Sequence, residues 1–220
     1  MRNYNVKVSN IRWKIAQWAE RIWWKRYLKN KSVADYLRWK QDYWKGFLEK
    51  INISKKEIEQ KKIIDLGCGP AGIFILFDQA TAVDPLLDKY DKDLAHFSKE
   101  QYPKNKFINA SIEDYQPQEP FDTIFCINAI NHVSDMQKGI AKLRDCATKN
   151  SRLVISIDAH NHNFLKKVFQ LLPGDILHPH QYNLQEYKDK IEAEGWKITN
   201  TVEMDTALIF NYYVLVAERI

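Results

Sequence analysis

Three of the seven glycines fall in the run Gly67-Cys68-Gly69-Pro70-Ala71-Gly72, directly behind the apolar segment Ile63-Ile64-Asp65-Leu66. Glycine in such a place lets the backbone turn tightly, take positive φ and come close to a ligand that a Cβ would hold off. The chemistry this suits is enclosure of a nucleotide-like cofactor; the plainer reading is a glycine-rich turn between a strand and a helix. The loop is expected to let the cofactor reach its main-chain N–H groups. Asp84, at the end of the apolar run Ala80-Thr81-Ala82-Val83, stands where a dinucleotide-type site places a carboxylate on the ribose hydroxyls.

Asp65 separates the candidate cofactors. It lies two residues before the first glycine, at the expected mouth of the site, where a dinucleotide would bring an anionic pyrophosphate. S-adenosylmethionine (SAM) has no phosphate, and a carboxylate attracts its sulfonium and its ammonium. The pair Asp65 and Asp84 therefore favours SAM over NAD.

The elements that must position these residues follow from hydrophobic patterning. Strands are expected near 62–66, 80–84, 105–109, 121–127 and 152–157, with helical stretches between them, then a helix over 184–194 and strands near 196–203 and 210–218. That order predicts an α/β fold with a doubly wound, mainly parallel sheet and a C-terminal antiparallel strand. Ligands of such sheets lie beyond the carboxyl ends of the strands. Residues 67–70, 128–132 and 158–162 should therefore converge.

Ile63-Ile64-Asp65-Leu66-Gly67-Cys68-Gly69-Pro70 resembles motif I of the class I SAM-dependent methyltransferases. Other segments match that family in order. Ala82-Val83-Asp84-Pro85 resembles its acidic second-strand motif, Asn109-Ala110-Ser111-Ile112-Glu113-Asp114 the stretch that frames adenine, and residues 121–133 the fourth-strand motif. Residues 178–196 resemble the approach to a helix found in the small-molecule, type 11-like branch. The resemblance covers about residues 60–220 and implies a Rossmann-like seven-stranded sheet. It also implies SAM as cofactor, S-adenosylhomocysteine as product, and cofactor contacts from Asp65, Gly67, Cys68, Gly69, Asp84, Pro85, Ser111, Ile112 and Asn128. Two departures matter. Ser111 stands where many relatives carry an acid for the adenine amino group, which leaves Glu113 as an alternative. Thr148-Lys149-Asn150-Ser151 replaces the usual Pro-Gly-Gly turn, and Asn150 is expected to take the left-handed conformation in its place.

Methyl transfer from a sulfonium is an in-line displacement with a neutral leaving group, so alignment carries most of the catalysis. A hydroxyl acceptor must still lose a proton, and histidine suits that task near neutral pH. His132 follows the fourth strand where the resemblance puts acceptor contacts, and is the candidate base; the alternative is a histidine that packs or caps the following helix. Trp39, Tyr43, His160 and His180 are candidates to line the acceptor pocket. The pairs His160/His162 and His178/His180 match no known metal signature, and no metal is expected. His96 is placed on a surface helix.

At 220 residues the chain suits one buried domain with an appendage. Three cysteines with no CxxC pair suggest a reducing, cytoplasmic setting. No apolar run reaches membrane-spanning length and the N-terminus does not resemble a secretory signal. The first fifty residues differ from the rest. They hold six of the seven tryptophans, and 13 Lys or Arg against 4 Asp or Glu, so this section carries +9 and the remainder −4. Ile11, Ile15, Trp18 and Ile22 follow helical spacing, and a second helix is expected to start at Ser32 with Asp35 in the capping-box position. Residues 1–57 are read as an aromatic, basic helical cap over the acceptor pocket of a SAM-binding domain at 58–220, with Trp39, Tyr43 and Trp44 buried against the sheet. A peripheral face on an anionic membrane is the second reading of this section. Nucleic acid is not expected, because the aromatic and basic residues follow helix periodicity and not an RNA-binding motif. The functional expectation is methyl transfer to a small-molecule or lipid-like acceptor, at oxygen. The competing reading is a non-catalytic SAM-fold protein that binds a partner or membrane through its Trp-rich N-terminus.

Overall fold

A computed structural model describes residues 10–160, 182–206 and 210–220, with side chains from Trp13 onward. Two N-terminal helices, α1 (Asn10–Leu28) and α2 (Val33–Lys50), and the short α3 (Lys55–Ile58) precede the sheet. The sheet then builds in chain order as β1 (Ile63–Leu66), β2 (Thr81–Val83), α4 (Leu87–Asp93), β3 (Lys106–Ile108), β4 (Phe121–Cys126), α5 (Met136–Asp145), β5 (Ala147–His160), α6 (Leu184–Ala193), β6 (Trp196–Thr206) and β7 (Phe210–Arg219). Its seven strands run in the order β3-β2-β1-β4-β5-β7-β6. β7 runs antiparallel to the other strands and is inserted between β5 and β6. This is the expected mainly parallel, doubly wound α/β sheet.

The sheet is covered on both faces, and the strands supply both layers by alternation. Ile63 and Phe125 face one core, with α2 and α4; Ile64, Leu66, Ile124 and Cys126 face the other, with α5 and α6. Asn150 has φ 69°, the expected left-handed turn. It sits beside a register shift between Phe121 and Thr123 in the β4–β5 pairing, so the substitute for glycine is accommodated by a bulge.

One expectation fails between β1 and β2. No α-helix forms there; the chain makes two 3₁₀ turns, Gly69–Ala71 and Ile73–Leu76, before β2. Such turns are too short to cover a sheet face, yet Ile73, Phe74, Ile75, Leu76 and Phe77 are all buried. The missing layer comes from α2. Its buried residues Tyr36, Trp44, Phe47 and Leu48 join the same core, and the Trp44 indole N–H donates to the Ala71 carbonyl at 3.0 Å. Ser32 caps α2 through the Asp35 N–H as expected, at 3.4 Å.

His96 corrects a second expectation. It is buried in the loop after α4, its Nε2 2.9 Å from the Lys31 carbonyl and its ring edge-on to Tyr36 at 5.4 Å. The imidazole holds the α1–α2 turn against the body of the protein, which a surface helix position would not allow. Trp39 is the third correction. Trp44 is buried and Tyr43 half-buried, but Trp39 is 50 % exposed, one position round α2 from the packed face.

If α2 supplies the missing layer, Trp44→Ala should lower stability by about 3–5 kcal/mol through lost packing. Trp44→Phe should cost about 1–3 kcal/mol, mainly by stranding the Ala71 carbonyl. Urea denaturation checks both, and a Trp44→Ala protein as stable as the parent would refute the assignment.

Candidate functional site

The carboxyl ends of β1, β2, β4 and β5 meet at one edge of the sheet, where the glycine loop leaves β1. Gly67 and Gly69 both have positive φ, 73° and 57°. A Cβ on Gly67 would run into the Ala129 side chain and stand 3.5 Å from Ile112 Cδ1. Crowding between the loop and the turn after β4 thus demands the first glycine. The loop's N–H groups correct the sequence argument. Gly67 and Cys68 donate to the Val83 carbonyl at 2.7 and 3.2 Å, and Gly69 donates to Asp84 Oδ2 at 3.0 Å. These donors tie the loop to β2, so what the glycines offer a ligand is close approach.

Asp84 is buried at the end of β2 and also accepts the Leu86 N–H at 2.8 Å, with Pro85 half-buried between them. Each carboxylate oxygen keeps further lone-pair capacity for a hydroxyl donor. Burial raises its pKa to about 7 and Glu20 adds to the rise, against the pull of the two N–H donors. Asp65 lies beneath the loop and not at its mouth. It is buried on β1 and accepts the Ile73 N–H at 2.8 Å, and a Cβ on Gly72 would strike the same oxygen. Burial raises its pKa to about 7 as well, opposed by backbone donors and by the charge of Lys40. Asp65 therefore shapes the loop by hydrogen bonding, and only its field, not a direct contact, is left to act above the loop.

Lys40 was not anticipated. Its Nζ stands 4.3 Å from the Tyr43 ring and 4.9 Å from Trp44, and it makes neither a hydrogen bond nor an ion pair among the described residues. Burial lowers its pKa to about 8, while Asp65 holds it up. The available signal was a lysine set inside the aromatic stripe Trp39, Tyr43, Trp44 on a helix that reaches the glycine loop. Helix α1 closes over the same place: Trp24 Cζ2 comes within 3.9 Å of where a Gly69 Cβ would be, and Glu20 accepts the Tyr90 hydroxyl at 2.8 Å. Arg21 and Lys25 pair with Asp93 on α4.

The adenine-framing segment divides by role. Ile112 is buried against Gly67. Ser111 is spent locally, donating to Asp114 Oδ2 at 2.8 Å. Glu113 is buried and accepts the Ser134 N–H at 2.6 Å and hydroxyl at 2.8 Å, so it braces the turn leading into α5.

At the ends of β4 and β5, Asn128 is exposed with φ 53°, and its N–H donates to Ser156 Oγ at 2.7 Å. Tyr212 of β7, paired opposite Asp158, brings a buried hydroxyl beside Ser156 and Asn128 that closes no hydrogen bond of normal length; Tyr43 of α2 packs on the same core. Asn131 is buried and bridges two elements, donating to Asp158 Oδ2 and accepting the Tyr187 hydroxyl, both at 3.0 Å. His132 follows on the exposed side of the 3₁₀ turn Ile130–His132. His160 ends β5, buried with its ring 4.3 Å from that of Phe210, and borders a cleft of about 460 Å³ with Asn183, Gln185, Asn211 and Tyr213. His162, His178 and His180 lie outside the described residues. The structure thus gathers Asp65, Gly67, Cys68, Gly69, Asp84, Ile112 and Asn128 at one sheet edge, and Tyr43 and Lys40 reach it from α2.

The donor set suits SAM: an unscreened glycine turn, a buried ribose-type carboxylate, a second carboxylate below the loop and an ammonium without an anionic partner in contact.

Comparison with known proteins points the same way. The sequence profile of the methyltransferase domain family matches residues 36–201. A ubiquinone biosynthesis O-methyltransferase of Rickettsia prowazekii is 21 % identical over 201 residues, 78 % of this chain and 77 % of that enzyme. Its counterpart from Rickettsia felis is 27 % identical over 113 residues, and there the chain spans about half of the relative's length, 46 %. Among solved structures, magnesium protoporphyrin IX methyltransferase from Synechocystis with bound S-adenosylhomocysteine superposes with a TM-score of 0.61 at 18 % identity, over 95 % of this chain and all of that one. A 1,6-didemethyltoxoflavin N1-methyltransferase from Burkholderia thailandensis gives 0.59 at 10 % identity, over 96 % and 91 %. With the sheet order, the glycine loop and the family profile in agreement, the chain belongs to the class I SAM-dependent methyltransferases, enzymes of the methyltransferase domain family.

Proposed function

We propose that this methyltransferase acts on an oxygen of a small aromatic or lipid-like acceptor. The observation that carries the reading is the aromatic wall at the transfer end of the site, where Tyr43 of α2 and Tyr212 of β7 pack on the same core and the Tyr212 hydroxyl is buried beside Asn128 and Ser156. Aromatic faces next to one polar atom suit an apolar acceptor with a single group to be oriented. The oxygen assignment draws on the names of the Rickettsia relatives.

SAM, when bound, supplies an electrophilic methyl group and leaves as the neutral thioether. In this reading Asp84 accepts the ribose hydroxyls, Lys40 meets the methionine carboxylate, and Asp65 favours the cationic end from beneath the loop. Asn128 and Tyr212 orient the acceptor oxygen, Trp39 covers it from the exposed side, and His132 takes the proton released as the O–CH₃ bond forms. Asn131, tied to Asp158 and Tyr187, sets the turn that carries His132. Ser111 and Glu113 keep structural roles, and Cys68 contributes backbone shape.

Three measurements test this assignment. Asp84→Ala should weaken SAM binding about ten- to a hundred-fold in calorimetry, the loss of charge-assisted hydrogen bonds; unchanged affinity would remove Asp84 from the site. Affinity should rise as pH passes about 7, where Asp65 and Asp84 ionise, and fall above about 8, where Lys40 loses its proton. Lys40→Met should abolish the alkaline fall while leaving the acid limb. With an acceptor in hand, His132→Ala should slow turnover about 10²–10⁴-fold with SAM affinity intact. Tyr212→Phe should mainly raise KM. Full activity in His132→Ala would return that residue to a packing role.

A further inference from the structure

We propose that the outward face of α1 docks on an anionic lipid bilayer. This deepens the lipid-like acceptor reading, but its test does not depend on turnover. Helix α1 carries apolar residues on two sides. The inward side is accounted for: Trp24 lies over the Gly69 turn, Leu28 is buried in the core, Glu20 holds Tyr90, and Arg21 and Lys25 hold Asp93. The opposite side repeats at three- and four-residue spacing through Ile15, Trp18, Ile22 and Arg26. There Trp18 is 62 % exposed and Ile15 45 %, with Trp23 at 53 % on the flank. The helically spaced residues Ile15 and Trp18 therefore point away from the sheet, with Ile22 half-buried beside them. A helix needed only to close over the cofactor loop has no use for bulky apolar side chains on its far side, and water does not favour them there.

Charge selects the occupant. Helix α1 carries Arg12, Lys14 and Arg26 besides Arg21 and Lys25, which pair with Asp93, against one acid, Glu20, which is engaged by Tyr90. The first fifty residues sum to +9. Tryptophan and isoleucine interleaved with Lys and Arg on one helix face is the pattern that lies in a bilayer interface. The rings sit at headgroup depth there, and the cations stay over lipid phosphates. A second copy of this chain would bring the same positive face against itself, and like charges oppose that contact. Among the described residues no helix is long and apolar enough to cross a membrane, so the contact proposed is peripheral.

The test uses the full chain with vesicles of phosphatidylcholine, with and without phosphatidylglycerol. Co-sedimentation and a blue shift of tryptophan emission are expected only with the anionic vesicles, and should decline with added salt. Ile15→Glu/Trp18→Glu should weaken vesicle binding about tenfold or more while leaving SAM affinity and thermal melting unchanged. Lys14→Glu/Arg26→Glu, which leaves the apolar residues in place, should weaken it and flatten its salt dependence. A chain that ignores anionic vesicles at low salt overturns the proposal, as does an Ile15→Glu/Trp18→Glu protein that binds them like the parent. A concentration-dependent dimer in sedimentation, or capture of a single-stranded oligonucleotide, that this double substitution abolishes without any vesicle binding would assign the face to that occupant instead. None of these outcomes alters the test of the acceptor reading, which rests on turnover of the acceptor in solution by His132→Ala and Tyr212→Phe.

Discussion

The indole of Trp44 joins the N-terminal helices to the point where the sheet lacks its own cover, and the cofactor loop takes its shape around that joint. Between β1 and β2 the chain runs through 3₁₀ turns whose residues, Gly69 apart, are buried, and α2 is the element that covers them. The hydrogen bond to Ala71 ends one residue before Gly72, whose missing Cβ leaves room for Asp65 Oδ2. Packing of α2 and the shape of the cofactor loop are therefore one arrangement, and Lys40 and Tyr43 reach the site because Trp44 and Phe47 anchor the helix that bears them.

The electrostatics of the site are consistent with a ligand that carries both signs. Asp65 and Asp84 are buried with their protonation raised by desolvation, and burial likewise disfavours the charge of Lys40. Each of the three is more easily charged beside an opposite charge than alone. A sulfonium with an amino acid headgroup supplies both partners, which is a physical reason for this set to accept SAM and to disfavour an anionic dinucleotide.

Much of this was readable in advance, for identifiable reasons. Strands buried on both faces give near-continuous apolar runs, so Ile63–Leu66 and Phe121–Cys126 stood out, the capping signal at Ser32 gave the start of α2, and the pattern over 184–194 gave α6. Glycine spacing located the loop because the close approach of Ala129 forbids a side chain at Gly67. What could not be read was contact between distant segments. Nothing local says that 73–77 forms no helix, that His96 reaches Lys31, or that Trp39 turns outward while Trp44, five residues on, turns in. Lys40 and Tyr212 escaped notice because a lysine in an aromatic helix and a tyrosine in a strand are ordinary until α2 and β7 meet across the end of β4. Ser111 and Glu113 were read for adenine by position alone, and their hydrogen bonds go elsewhere.

The Trp44–Ala71 contact spans 27 residues, whereas β1 must find β4 some sixty residues on, at Thr123. During synthesis the tryptophan-rich helices are made before residues 71–77 and can close on them well before the sheet can assemble. The segment with the most exposed aromatic surface is thereby the one that waits the least time for its partner. A long insertion between α2 and β1 would leave the finished fold intact and still lengthen that wait, so its cost would appear as aggregation during synthesis and not as a lower melting temperature.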